Sequence, residues 1–195
     1  MAMLKDRYSA GAIALHWLIA ALLIGNIGIA WYFNTLHGPA ATAPIALHRS
    51  IGIAVLLLSL ARLALRLVSP PPAPVGLRAW ERGFSKTIHV LFYVVMIGLP
   101  LSGWAMVSAG PRLVQAPMTL FNLIPWPAIG PLTTLPAAQV HPTHELFEAA
   151  HGLLAKLAYG LIGLHVAAAL KHQFIDRDAI LRRMLPRWRW NARGP

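Results

Sequence analysis

Four long apolar stretches dominate this chain: Gly11–Phe33, Ile45–Leu67, Ile88–Val107 and Leu146–Leu170. A membrane span needs about 20 mostly apolar residues, because the hydrocarbon core is about 30 Å thick and a helix rises about 1.5 Å per residue. All four qualify, and the composition agrees. The chain is 57% hydrophobic and only 12% charged, whereas soluble domains run at roughly 45–50% apolar and 25% charged. It lacks the polar residues to clothe a water-soluble body. The expectation is an all-α transmembrane four-helix bundle, with residues 1–195 forming a single integral-membrane domain. The first run far exceeds a signal-peptide core of about 7–15 residues, so Ala41-Thr42-Ala43 is read as part of a connection and not as a cleavage site.

The connections are unlike one another. Pro70-Pro71-Pro72-Ala73-Pro74 makes a stiff polyproline-like step after the second span. The stretch from Gly110 to Pro142 is rich in proline yet moderately apolar, and is expected to lie along the outer surface as loop and short helix. His141-Pro142-Thr143-His144-Glu145 reads as its final part, with Thr143 capping the fourth helix; a grip on an exogenous metal is the alternative.

Net charge is +11, from 17 Lys and Arg against 6 Asp and Glu. Lys5 and Arg7 precede the first span. Arg66, Arg78, Arg82 and Lys86 lie at or in the second connection, and Lys171, Arg177, Arg182, Arg183, Arg187, Arg189 and Arg193 follow the fourth span. The first connection has no Lys or Arg before Arg49, and the third has only Arg112. The positive-inside rule then places both termini in the cytoplasm. This topology accounts for the basic tail without nucleic acid, which is not expected as a partner.

The absence of cysteine excludes disulfides, thiolate-held metals, iron–sulfur clusters and covalently attached haem. Nine histidines dominate the remaining ligand chemistry. Ionisable groups inside spans are costly and mark function. With the topology above, His16 and His165 fall near the inner face, and His48 and His151 near the outer. Residues 151 and 165 are 14 apart, close to four helical turns, so both imidazoles leave one face of the fourth helix about 21 Å apart along its axis. Small residues flank them (Ala155, Ala158 and Ala169), and Gly52 clears space one turn after His48. Arg62 shares the His48 face at the inner level, where it can neutralise haem propionates; Arg49 is its weaker outer counterpart.

Any single intramembrane histidine can simply hydrogen-bond across helices. Two level-matched pairs drawn from three helices suit two axial nitrogens on each of two haem irons, held without covalent attachment as haem b. Zinc remains an alternative, although a tetrahedral site wants its ligands gathered at one point. His89 enters the third span near the inner level as a rival ligand, or as a group for propionate, quinone or a proton. His172 is read as a boundary residue. Glu148, three residues before His151, is a candidate for proton exchange at the outer level. Lys156, stranded mid-span, either snorkels outward or meets a propionate. Pro100 is expected to kink the third helix, with Gly98 and Gly103 permitting close packing. Trp17, Trp31, Tyr32 and Trp104 read as interface and packing aromatics.

Several segments are distinctive together. They are Leu15-His16-Trp17, His48-x-x-x-Gly52, Leu99-Pro100-Leu101-Ser102-Gly103, His151, and Gly163-Leu164-His165-Val166 running on to Lys171-His172. With the tail from Phe174-Ile175-Asp176-Arg177-Asp178 to Leu185-Pro186, the chain resembles the prokaryotic cytochrome b561 family from about residue 7 to 187. The resemblance implies a four-helix cytochrome of the bacterial inner membrane, with His16 and His165 on an inner haem b and His48 and His151 on an outer one. It further implies electron transfer between a periplasmic partner, such as superoxide or an electron-transfer protein, and ubiquinone or another quinone. Two other readings accompany it: a haem-bearing anchor subunit that relays electrons for a periplasmic dehydrogenase or hydrogenase, and a haem-free bundle or transporter.

Overall fold

The computed structural model describes residues 7–70, 72, 78–110 and 118–186. Lys5, the Pro71, Ala73 and Pro74 of the polyproline step, Pro111, Arg112, Arg187, Arg189 and Arg193 lie outside these. The protein is a multi-pass membrane protein: helices α1 (Ala10–Phe33), α2 (Thr42–Val68), α3 (Ala79–Ser108) and α5 (Ala137–Lys171) are each long and apolar enough to span a bilayer. A short 3-10 turn, Gly38–Ala41, joins α1 to α2. Between α3 and α5 lie strands β1 (Thr119–Leu120) and β2 (Ile124–Pro125) and the one-turn helix α4 (Gly130–Thr133).

α1 and α3 start where a side chain satisfies an exposed N–H group. The Ser9 hydroxyl accepts from the Ala12 amide at 3.3 Å to cap α1. Glu81 accepts from the Arg78 amide at 2.9 Å and closes the first turn of α3. That turn lies nine residues ahead of the apolar run beginning at Ile88. α5 likewise begins at Ala137 behind Pro136, so the expectation that Thr143 caps the fourth helix is corrected. His141, Pro142 and Thr143 are already helical. His141–Glu145 (3.3 Å) and His144–Glu148 (4.0 Å) pair along one helix face around Pro142.

The helices do not share one core equally. Ile19 of α1, Val55 of α2 and Met96 of α3 form the buried centre, with Leu15, Leu22, Leu23, Ile51, Leu58 and Phe92 packed around it. α5 stands apart from this centre. It packs along α3 but makes no comparable backbone approach to α1 or α2, and Ala158 is its only buried residue. Only 6% of its most apolar stretch is buried, against 22% to 28% in the other spans. α1, α2 and α3 thus share the buried centre, whereas α5 meets α1 through side chains such as the Trp31–Tyr159 ring contact (6.0 Å) and without comparable backbone packing.

The ends of the bundle differ. At one, called here the terminal end, Arg7 donates to the Leu185 carbonyl (2.6 Å) and the Trp17 indole to the Met184 carbonyl (2.7 Å). The residues after α5 thus return to α1. At the other, β1 and β2 form an antiparallel hairpin, not the loop with short helix alone that was expected. Its turn runs through Phe121 (φ 51°) and Asn122 (φ 58°), a left-handed pair that matches strand twist. Ser50, buried in α2, accepts from the Phe121 amide at 2.9 Å and ties the hairpin down two residues beyond His48.

Candidate functional site

α5 carries His151 and His165, which meet partners from different helices. The rings of His48 (α2) and His151 have centroids 6.2 Å apart and planes at 78°. Those of His16 (α1) and His165 also lie 6.2 Å apart, with planes at 73°. The four expected residues are brought together as two couples, one toward each end of the bundle. Both couples link α5 to helices that it approaches less closely than α3.

The hydrogen bonds orient the rings. His151 donates from Nδ1 to the Leu99 carbonyl at 2.9 Å, with the Ser102 hydroxyl 3.2 Å from the same nitrogen. His48 Nδ1 lies 3.3 Å from the Asn26 carbonyl. A ring whose Nδ1–H is held by a backbone carbonyl presents Nε2 with a free lone pair, the arrangement typical of metal-bound histidine. Close approach is needed on α3 as well. A Cβ at Gly103 would meet His151 Cε1 at 3.0 Å, and one at Gly98 would meet Leu154 at 3.5 Å. Both glycines permit packing against α5, as expected. Gly52 instead opens on the Asn26 amide, 3.9 Å from where its Cβ would be, and not on His48.

The spacing fits an iron between the rings. Metal–imidazole bonds of about 2 Å on opposite sides of one ion place two ring centroids about 6 Å apart. Over their lengths, α5 packs on α1 and α2 less closely than on α3. Zinc fits less well, because each couple offers two nitrogens and neither has the four gathered ligands of a tetrahedral site. Among the described residues, the one group of three metal-type ligands lies elsewhere: His172, Asp176 and Asp178.

The terminal-end couple has a third member. His89 of α3 stands with its ring 6.1 Å from that of His165, and Phe92 stands 5.3 Å from it. His89 Nδ1 donates to the Ser85 carbonyl at 2.6 Å. Ring spacing does not separate His16 from His89 as the partner of His165. The two rings reach it from different sides, His89 from α3, which packs closely along α5, and His16 from α1, which does not.

Arg62 lies at the same level, donating to the Ala12 carbonyl at 2.6 Å, one turn before His16. Arg49 is half-buried beside His48. Lys156 is exposed, between the exposed Leu153 and Leu157, so it faces outward. Glu148 is exposed and turned to His144, not to His151. His172 stands at the C-terminal end of α5, where its Nδ1 lies 2.7 Å from Asp178 and 3.1 Å from Asp176. Trp104 donates to the Pro127 carbonyl (2.9 Å) and packs on Trp126.

The comparisons with known proteins agree with one another. The family model described as prokaryotic cytochrome b561 matches residues 7–187. The chain is 31% identical over 184 residues to "Cytochrome b561 homolog 2" of Escherichia coli (strain K12), covering 92% of each. It is 30% identical to "Probable superoxide oxidase CybB" of Yersinia pestis, covering 95% of this chain and 99% of that one. It is 29% identical to "Cytochrome b561 homolog 1" of the same Escherichia coli strain, covering 93% and 98%.

Proposed function

The chain belongs to the prokaryotic cytochrome b561 family of membrane electron-transfer proteins, and on that premise we propose that it carries two haem b groups and moves electrons from a periplasmic donor to a membrane quinone. His48 and His151 hold one group, and His16 and His165 the other. The observation that carries this reading is the repeated ring spacing of 6.2 Å in two couples that share α5 and differ in the second helix.

Haem b, when bound, supplies reversible one-electron chemistry at iron. The residues supply the rest. The four imidazoles fix position and orientation, and the Leu99 and Asn26 carbonyls hold the His151 and His48 tautomers. Arg62 places a positive charge in the membrane beside the His16 couple, where it balances propionate charge, and Arg49 does the same beside His48. The probable superoxide oxidase of Yersinia pestis makes superoxide the donor to test first.

The orientation follows from the cations. Arg66, Arg78, Arg82, Lys86 and Lys171 all fall at the end where Arg7 meets Leu185, so that end is cytoplasmic and the hairpin faces the periplasm of a bacterial inner membrane. Residues 1–195 act as one domain.

The test uses purified protein alone. Two haem b per chain by pyridine haemochrome, and reduction of a short-chain quinone driven by superoxide, are expected. A haem-free preparation with full activity would overturn the proposal. Haem reduction without any superoxide-driven quinone reduction would point to a relay subunit serving a separate dehydrogenase or hydrogenase.

A further inference from the structure

The β1–β2 hairpin belongs to the end of the bundle opposite the terminal end, yet it does not stand out into water. Three contacts give its depth. Ile129 donates its amide to the Ser108 hydroxyl at 3.0 Å, at the outer end of α3. Trp126 packs on Trp104 with ring centroids 5.6 Å apart, and Trp104 lies four residues before Ser108, about 6 Å deeper along the helix axis. At the turn, the Phe121 amide donates to the Ser50 hydroxyl at 2.9 Å. Ser50 follows His48 by two residues, so it lies on the inward side of that ring. The turn is therefore the deepest part of the segment.

That depth falls within the apolar layer. From Ser50, α2 runs about 24 Å to Arg66, among the cations of the terminal end, and a hydrocarbon core is about 30 Å thick. Ser50 also stands about 12 Å inside the start of α2 at Thr42. The tip is built for such surroundings. Leu123 is 82% exposed, Ile124 59% and Phe121 50%, and no charged residue occurs from Met118 to Gly130. Backbone donors left unpaired in lipid are costly. Here the Phe121 amide is spent on Ser50, the Leu123 amide on the Leu120 carbonyl (2.9 Å) and the Trp126 amide on the Met118 carbonyl (2.9 Å). Pro125 brings no N–H to its strand edge. Trp104 and Trp126 stand above the tip, as aromatic side chains do where acyl chains give way to head groups.

We propose that the hairpin is re-entrant: it dips into the nearer lipid leaflet and rests Phe121, Leu123 and Ile124 against the acyl chains. This surface continues the exposed apolar flank of the spans, where Leu57 and Leu60 of α2 face outward. Its occupant is lipid, because the tip lies level with the apolar part of α2 and not beyond it. Ser50 holds the turn from the protein side, and lipid holds it from the other, beside the helix that carries His48. The proposal is independent of what the histidine couples bind.

The chain has no cysteine, so single ones can be placed without other changes. Leu123→Cys and Ile124→Cys, each carrying a nitroxide label, are compared in full-length protein reconstituted into phosphatidylcholine vesicles. Leu57→Cys on the exposed flank of α2 serves as the lipid reference, and Ala40→Cys in the α1–α2 turn as the water reference. Power-saturation electron paramagnetic resonance reads collisions with oxygen, which concentrates among acyl chains, and with a water-soluble nickel chelate. Both hairpin labels should match Leu57, with nickel collisions about tenfold below those at Ala40, because a polar chelate is excluded from the apolar layer. Nickel collisions equal to those at Ala40 would put the tip in water and overturn the proposal. Labels shielded from both reagents would mean that protein covers the tip, a second copy or another subunit, and would overturn it too. Either hairpin position suffices if the other label disturbs the fold.

Discussion

A Cβ built on Gly103 would stand 3.0 Å from Cε1 and 3.1 Å from Nδ1 of His151, so α3 gives up its side chain where α5 delivers an imidazole. The neighbouring Leu99 and Ser102, on the same stretch of α3, hold that ring by its Nδ1. The Leu99-Pro100-Leu101-Ser102-Gly103 segment thus acts as a seat for one histidine.

Gly103→Val should therefore push His151 off its seat. Haem content is expected to fall from two per chain to about one, with the spectrum of the His16–His165 site preserved. Pyridine haemochrome assay and low-temperature difference spectra read this directly.

His16→Ala and His89→Ala should differ although both rings stand about 6 Å from His165. Loss of His16 should remove one haem signal. Loss of His89 should leave two, if His16 is the partner that His165 uses. Two signals in His16→Ala with one in His89→Ala would reverse the assignment.

Arg62→Met removes a cation from the membrane interior beside His16. A nearby positive charge favours the reduced state of a redox centre, so the potential of that site should fall by some tens of millivolts; about 59 mV corresponds to a tenfold change for a one-electron couple. Redox titration of the two haems, which should leave the His48 site nearly unmoved, checks both sign and locality.

Trp17→Phe keeps the aromatic ring but loses the bond to the Met184 carbonyl. A single such bond contributes about 1 kcal/mol. Hydrogen exchange should quicken across residues 177–186 while haem content stays the same.

Lys156→Leu places an apolar side chain on the outward face of α5. A lysine in mid-span costs up to about 3 kcal/mol, so thermal stability in detergent or bilayer should rise, with unchanged haem spectra. A loss of haem would mean that Lys156 turns inward to a propionate.

The spans were legible because their signal is bulk apolarity: α1 and α2 begin within three residues of where their apolar runs suggested. α3 and α5 each begin nine residues earlier than that signal, for a physical reason. Their first turns project beyond the apolar layer and are stabilised by local pairs, Arg78–Glu81 and His141–Glu145, which carry no hydropathy. The hairpin escaped notice because its left-handed turn uses Phe121 and Asn122 and no glycine. Within the site, the couples could be read from spacing along single helices. What could not be read depends on register between helices: the seat for His151, the third ring at His165, and the exposure of Lys156. The two aspartates beside His172 belong with these, since the π turn brings them round after the helix ends.

Because His151 and His165 project from the same rod, the interval between the two couples is set by covalent chain length. A thicker or thinner bilayer can tilt α5, and a bound partner can rock it, yet neither stretches that interval. Deleting one residue anywhere from 152 to 164 would shorten it by about 1.5 Å and swing one imidazole about 100° around the axis. The fourteen-residue step works as a fixed gauge.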